Sequence, residues 1–181
     1  MTLITDAQAT AARLLPPLGD RWLHGQAVGA QAAAIAKAVP PQDRELLVAS
    51  AWLHDIGYAT DLIQTGCHPI DGARYLEGEG FPPRLVALVA HHSCSRIEIG
   101  IRGLTTELRW PQEDSPVADA LAYADMTTGP QGQRLTFSER IAEILTRYPA
   151  GSEVYQHNVA AKPLLAGHVA RVEDRMGAED Q

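Results

Sequence analysis

The chain is short of the features that would place a protein in a membrane, in a secreted scaffold or on a nucleic acid. It has only 2 cysteines, Cys67 and Cys94, and they form no C-x-x-C unit, so no disulfide framework is expected. No apolar run reaches bilayer-spanning length, and Met1-Thr2-Leu3-Ile4-Thr5-Asp6 has neither a basic start nor a continuous apolar stretch. A cytoplasmic protein with no membrane partner is the expectation. Strand-like alternation and internal repeats are missing as well. Positive charge is scarce, with 15 Lys and Arg against 22 Asp and Glu, a formal net charge of −7. That balance argues against a nucleic-acid polymer as partner, and leaves room for a local basic pocket that takes a phosphorylated small molecule.

What is present is an ordinary globular composition: 181 residues, 45% apolar and 20% charged, enough for a single domain with a substantial core. The apolar spacing predicts an all-α fold. A short helix is expected over about 5–15, stopped by Pro16-Pro17, and a second over about 20–39, where His24 continues the stripe of Val28, Ala32, Ile35 and Val39 and so faces inward. A third follows Pro40-Pro41 and runs to His54-Asp55, with Gly57 placed to end it in a left-handed conformation. His68-Pro69 opens the next helix, and Pro82-Pro83 opens another that leads into His91-His92. Residues 95–114 are the least regular, with a short helix around 105–110. Ser115-Pro116 starts a helix toward Asp125, Thr136-x-x-Glu139 has the form of a capping box, and a last helix over about 152–176 is expected to break near Pro163.

Buried imidazoles and carboxylates on apolar helices are costly unless a partner or a cation compensates them. His24, His54, Asp55, His68, His91, His92 and Asp125 are such residues, with Asp61 a weaker candidate in the loose connection after Gly57. Imidazole and carboxylate without thiolate suit a catalytic rather than a sealed structural metal site. His54 and Asp55 are adjacent, and at the negative end of a helix they can converge on one cation. A carboxylate can also bridge two, so the pair serves a mononuclear or a dinuclear centre.

His24, His54-Asp55 and Asp125, in this order, resemble the motif of the HD-domain metal-dependent phosphohydrolase superfamily, over about residues 18–130. His68-Pro-Ile-Asp-Gly-Ala73 and the histidine pair after Leu88-Val-Ala90 resemble the added ligands of its dinuclear members. The resemblance implies a bundle of five or more core helices followed by a helical extension over about 131–181. It implies one metal held by His24, His54, Asp55 and Asp125, with Asp55 bridging to a second held by His68 and His92. The metals are divalent transition ions, iron or manganese favoured, with zinc, nickel, cobalt or magnesium as alternatives. His91 would then line the pocket as a proton donor, and Arg21 and Arg96 would hold phosphate oxygens. Thr127 and Thr128 are expected to terminate their helix, and His157 and His168, outside the resemblance, to be surface or packing residues.

The implied activity is hydrolysis of a phosphate ester or phosphoanhydride of a nucleotide-like small molecule, with hydroxide generated at the metals. A homodimer is compatible with it. Two rival readings remain open on the sequence: an HD-type mixed-valent diiron oxygenase that cleaves a C–P or C–C bond, and a non-catalytic nucleotide or metal sensor.

Overall fold

The computed structural model describes residues 2–178. Among them are nine α-helices joined by short 3-10 turns: α1 (Leu3–Leu14), α2 (Asp20–Ala34), α3 (Arg44–Leu53), α4 (His68–Gly78), α5 (Pro83–His91), α6 (Ser95–Ile101), α7 (Pro116–Met126), α8 (Phe137–Arg147) and α9 (Glu153–Ala178). No strand forms among the described residues beyond a single isolated bridge between Thr128 and Arg134. Both cysteines are free.

The arrangement follows from how apolar each helix is. α3 buries Leu47, Val48, Ala49, Ser50, Ala51 and Leu53, so it is apolar on nearly all sides and must be surrounded. It packs against α1, α2, α5 and α7, and its C-terminal end therefore lies deep in the molecule. α7 is buried at every position of Val117–Met126 except Ala118, and lies between α3 and α9. Together these two helices bring His54-Asp55 and Asp125 to the centre. α8 and α9 pack on this core through Ile141, Ile144, Ala161 and Leu165, which cluster with Ala122 and Met126 of α7.

The start and stop signals act as expected at Ser115, whose hydroxyl accepts from the Ala118 amide, and at Thr136 and Glu139, which form a complete capping box. Four expectations are corrected. The first helix starts at Leu3 with Thr2 as its cap. A helix the sequence did not announce, α6, occupies Ser95–Ile101, and only a 3-10 turn lies at Thr105–Glu107. The last helix runs unbroken through Pro163. Pro163 and Val159, the residue whose carbonyl loses its partner to the ring, are both exposed, so water can satisfy that carbonyl.

Gly57 is the fourth correction, because its φ is not positive. A Cβ there would lie 2.0 Å from the His68 carbonyl oxygen and 2.5 Å from the Gly72 nitrogen. Glycine is required for contact: the start of α4 rests directly on the turn after Asp55. Asp71, buried in the first turn of α4, accepts from the amides of Thr65 and Gly66 and the Thr65 hydroxyl, which ties the incoming loop to the helix. His68 is thereby fixed beside Asp55.

Candidate metal centre

Five chain segments deliver six side chains to one place. His24 comes from the buried face of α2, His54 and Asp55 from the turn that follows α3, His68 from the first residue of α4, His92 from the residue after α5, and Asp125 from the last turn of α7. The break after α5 is sharp. His92 is extended, with φ −57° and ψ 149°, and Ser93 and Cys94 follow with φ of 47° and 59°. Two consecutive left-handed residues that are not glycine cost of the order of 1–3 kcal/mol each, and they turn His92 inward while His91 stays on the helix.

The ligand atoms form two groups that share Asp55. Around one carboxylate oxygen, Asp55 Oδ2, lie His54 Nε2 at 3.5 Å and His24 Nε2 at 3.9 Å. Asp125 Oδ1 closes this group, 3.1 Å from His24 Nε2 and 3.9 Å from His54 Nε2. Around the other oxygen, Asp55 Oδ1, lie His68 Nε2 at 3.4 Å and His92 Nε2 at 3.9 Å, with the two imidazole nitrogens 3.2 Å apart. The sets His24, His54, Asp55 and Asp55, His68, His92 each have the spacing of a cation site.

The hydrogen bonds show why these atoms fit cations. His24 Nδ1 donates to the Gly129 carbonyl at 3.1 Å, His54 Nδ1 to Ala51 at 2.8 Å and His92 Nδ1 to Val89 at 2.6 Å. A carbonyl only accepts, so the proton of each neutral ring sits on Nδ1 and the Nε2 lone pair points at the carboxylates. Acceptors then face acceptors. His54 Nε2 is buried with no hydrogen-bond partner at all, an arrangement that a divalent ion would relieve. Burial holds His68 well below its usual pKa and lowers His92 as well, so both offer neutral imidazoles. Burial would raise Asp55, yet the charges of His54, Arg21, His68 and His24, those of the imidazoles when they are protonated, pull it well below the carboxylate range. Asp125 is likewise held down, against its burial, by His24, His54 and Arg140.

The centre opens into a cleft of about 570 Å³. Arg21 lies on its wall, with Nη1 donating to Asp55 Oδ2 at 2.8 Å and its guanidinium 3.8 Å over the Tyr58 ring. Tyr58 in turn stacks on His68 at 4.0 Å. Two sequence expectations do not hold here. His91 is turned away: its Nε2 donates to the Trp110 carbonyl at 2.9 Å and it lines a separate cavity. Arg96 is exposed and lines neither cavity. Both expectations came from the resemblance: His91 ends α5 bonded to Trp110, and Arg96 lies beyond the left-handed pair, on α6. Asp61 is exposed. Thr127 and Thr128 bond back to the Tyr123 and Ala124 carbonyls at 2.7 Å each, ending α7 as expected.

Sequence reasoning missed Ser93, Arg140, Arg147 and His157, which all line the cleft. Ser93 Oγ donates to Asp125 Oδ2 at 2.5 Å. His157, expected as a surface or packing residue outside the site, is buried and donates from Nε2 to the Ser93 carbonyl at 3.2 Å. A signal existed for it: His157 heads the stripe Ala161, Leu165, Val169 and Val172 that α9 buries. Arg140 stands four residues before Ile144 on the buried face of α8, and an arginine in that position points to a partner inside. His168 packs against Asp119, accepting no role in the cleft.

A family model described as HD domain matches residues 21–128, more than half of the chain. No curated protein and no solved structure matches. The matched stretch contains all six side chains of the two ligand groups, and it ends before α8 and α9.

Proposed function

The chain belongs to the HD-domain family, and from that premise we propose that it is a metal-dependent phosphohydrolase acting on a phosphate ester or phosphoanhydride of a nucleotide-like small molecule. One observation carries the reading: the two oxygens of Asp55 face two separate histidine groups, while His54 Nε2 is buried without a partner. His24, His54, Asp55 and Asp125 would hold one divalent ion, and Asp55, His68 and His92 a second. Such ions polarise phosphoryl oxygens and lower the pKa of a water so that hydroxide is available at neutral pH.

The chain's own residues would do the rest. Arg21 reaches the centre from the side of Asp55 and is the cleft's first donor to a non-bridging phosphoryl oxygen. Arg140 reaches it from the side of Asp125, with Nη2 at 4.0 Å from Oδ1. The Nδ1–carbonyl bonds of His24, His54 and His92 keep the rings from rotating, and Ser93 does the same for Asp125. The open cleft, with Arg21, Arg140 and Arg147 on its wall, suits a small anionic molecule.

The test is elemental analysis of protein purified without added metal, followed by a screen of mono-, di- and dinucleoside polyphosphates in the metal found. Two metal equivalents per chain with turnover of phosphorylated substrates is the expected result. Fully loaded protein that turns over none of them would sink the reading.

A further inference from the structure

Three arginines, Arg21, Arg140 and Arg147, line the cleft over the metal centre and also a second cavity of about 480 Å³ beside Leu18 and Pro130. They stand between the two spaces. Asp20 is the one carboxylate on the wall of the second cavity, so that space is cationic in a chain whose formal net charge is −7. Arg21 and Arg140 each approach a carboxylate of the centre, at 2.8 and 4.0 Å. Arg147 approaches neither, and its only carboxylate partner among the described residues is Glu143. Arg21 therefore stands at the centre and Arg147 apart from it, while Arg140 reaches both ways, with Nη2 toward Asp125 and Nη1 toward Glu143.

Arg140 and Arg147 both belong to α8, and Glu143 lies between them, 2.5 Å from Arg140 Nη1 and 3.1 Å from Arg147 Nε. Two guanidinium groups spaced to share one carboxylate are spaced to share a phosphoryl group in its place. Arg140 has capacity left, because its Nε is buried with no acceptor although the residue is 5% exposed.

We infer that Arg140 and Arg147 build an outer phosphate subsite, and that the substrate carries at least two phosphoryl groups, one at the metal centre and one between these arginines. The inference rests on the hydrolase reading and sharpens it from phosphate esters in general to polyphosphorylated small molecules. The chemistry of the leaving group agrees. His91 is turned from the cleft, and His157 has its Nε2 proton committed to the Ser93 carbonyl, so neither offers an acid to an alkoxide. A phosphate leaving group needs none: water attacks phosphorus, the P–O bond to the bridging oxygen breaks, and the electron pair leaves on phosphate while solvent takes the proton from the attacking water.

Calorimetric titration of the metal-loaded full chain with orthophosphate and with pyrophosphate tests the subsite directly. Wild type is expected to bind pyrophosphate at least about tenfold more tightly than orthophosphate, the size of one charge-assisted contact. In Arg147→Gln that ratio should fall by about tenfold, and Arg147→Lys should restore part of it. Arg147 is exposed, so folding is not at stake. An unchanged ratio in Arg147→Gln overturns the inference, whatever the absolute affinities. The two readings fail separately. A collapsed ratio without turnover of any phosphate would leave the subsite standing and remove the hydrolase, whereas turnover of monophosphates with an unchanged ratio would do the reverse.

Discussion

Asp119 and Asp125 lie on the same helix, both buried, and their surroundings are opposites. Asp119 is saturated with donors. His168 Nδ1 at 2.6 Å, Arg171 Nη2 at 2.6 Å and Arg175 Nη2 at 2.9 Å all point at it from α9, and they bring its pKa down to about 2 in spite of its burial. Asp125 receives one hydroxyl, from Ser93, stands 4.0 Å from Arg140 Nη2, and otherwise looks at imidazole Nε2 atoms whose rings have spent their protons on backbone carbonyls. With Asp55 it makes a second buried carboxylate a few ångströms away. The first aspartate is complete as a protein contact and fastens α7 to α9. The second is complete only with cations. A buried carboxylate is thus diagnosed by its count of donors rather than by its burial.

The strongest test of this contrast is a crossed pair of substitutions. Asp55→Asn is expected to remove about 4 kcal/mol of transition-state stabilisation, roughly 10³-fold in kcat/KM, and to lose metal equivalents in elemental analysis. Its stability in chelator should fall less than that of Asp119→Asn, since Asp55 has one guanidinium donor, Arg21, where Asp119 has two and an imidazole. Asp119→Asn should behave oppositely, losing about 3 kcal/mol in denaturant unfolding with metal content unchanged. Equal destabilisation of the two variants in chelator would break the contrast.

The two aspartates also differ in how they could be read from sequence. Asp125 was legible because its helix has clear signals, Ser115-Pro116 at the start and Leu121 one turn before it, and because His24, His54 and Asp55 belong to the same ordered set. Most helix starts were legible for the same local reason, since proline and capping residues act within a few positions. Asp119 was not legible, because its partners lie 49 to 56 residues away and any surface helix carries such arginines. Gly57 shows a third kind of case. Its presence was visible and its reason was not, because the helix that presses on it is made by residues 68–78. His91 and Arg96 were expected in the cleft from the resemblance alone: His91 is spent on the carbonyl of Trp110, 19 residues on, and Arg96 follows the left-handed turn at Ser93-Cys94, which neither residue type announces. His157, Arg140 and Arg147 were missed because they lie on α8 and α9, beyond the recognisable motif.

Acid titration separates the two regions by pH. The folded pKa of Asp119 is depressed from 3.8 to about 2, so its stabilisation is full above 3.8 and is lost as pH falls through about 2. That contribution amounts to about 2 kcal/mol. His68 and His92 are also depressed, from an ordinary 6.5. The metal-free chain then holds their contribution above pH 6.5 and begins to lose it as pH falls below that value. Unfolding free energies measured in chelator should decline first below 6.5 and again below 3.8, and Asp119→Asn should make only the second decline shallower, by about 2 kcal/mol, because Asp55 and Asp125 are depressed as well and carry the rest of it. A single decline in wild type, unaffected by Asp119→Asn, would show that the clamp does not carry the charge assigned to it.

The smallest expected effect concerns the one protein donor that Asp125 does have. Ser93 is held at φ 47° and ψ 41°, a conformation glycine adopts without a Cβ penalty, and its hydroxyl restrains the carboxylate. Ser93→Gly keeps the backbone while deleting that hydroxyl, and Ser93→Ala deletes it while keeping the strain. If the hydroxyl orients Asp125 toward the cation, both variants should bind metal roughly tenfold more weakly. They should differ from each other in stability by about 1 kcal/mol in favour of glycine. Calorimetric metal titration and unfolding in chelator read the two quantities independently. Unchanged metal affinity in both would mean that Asp125 is oriented by His24 and Arg140 alone, and the contrast with Asp119 would then rest on the imidazoles rather than on the serine.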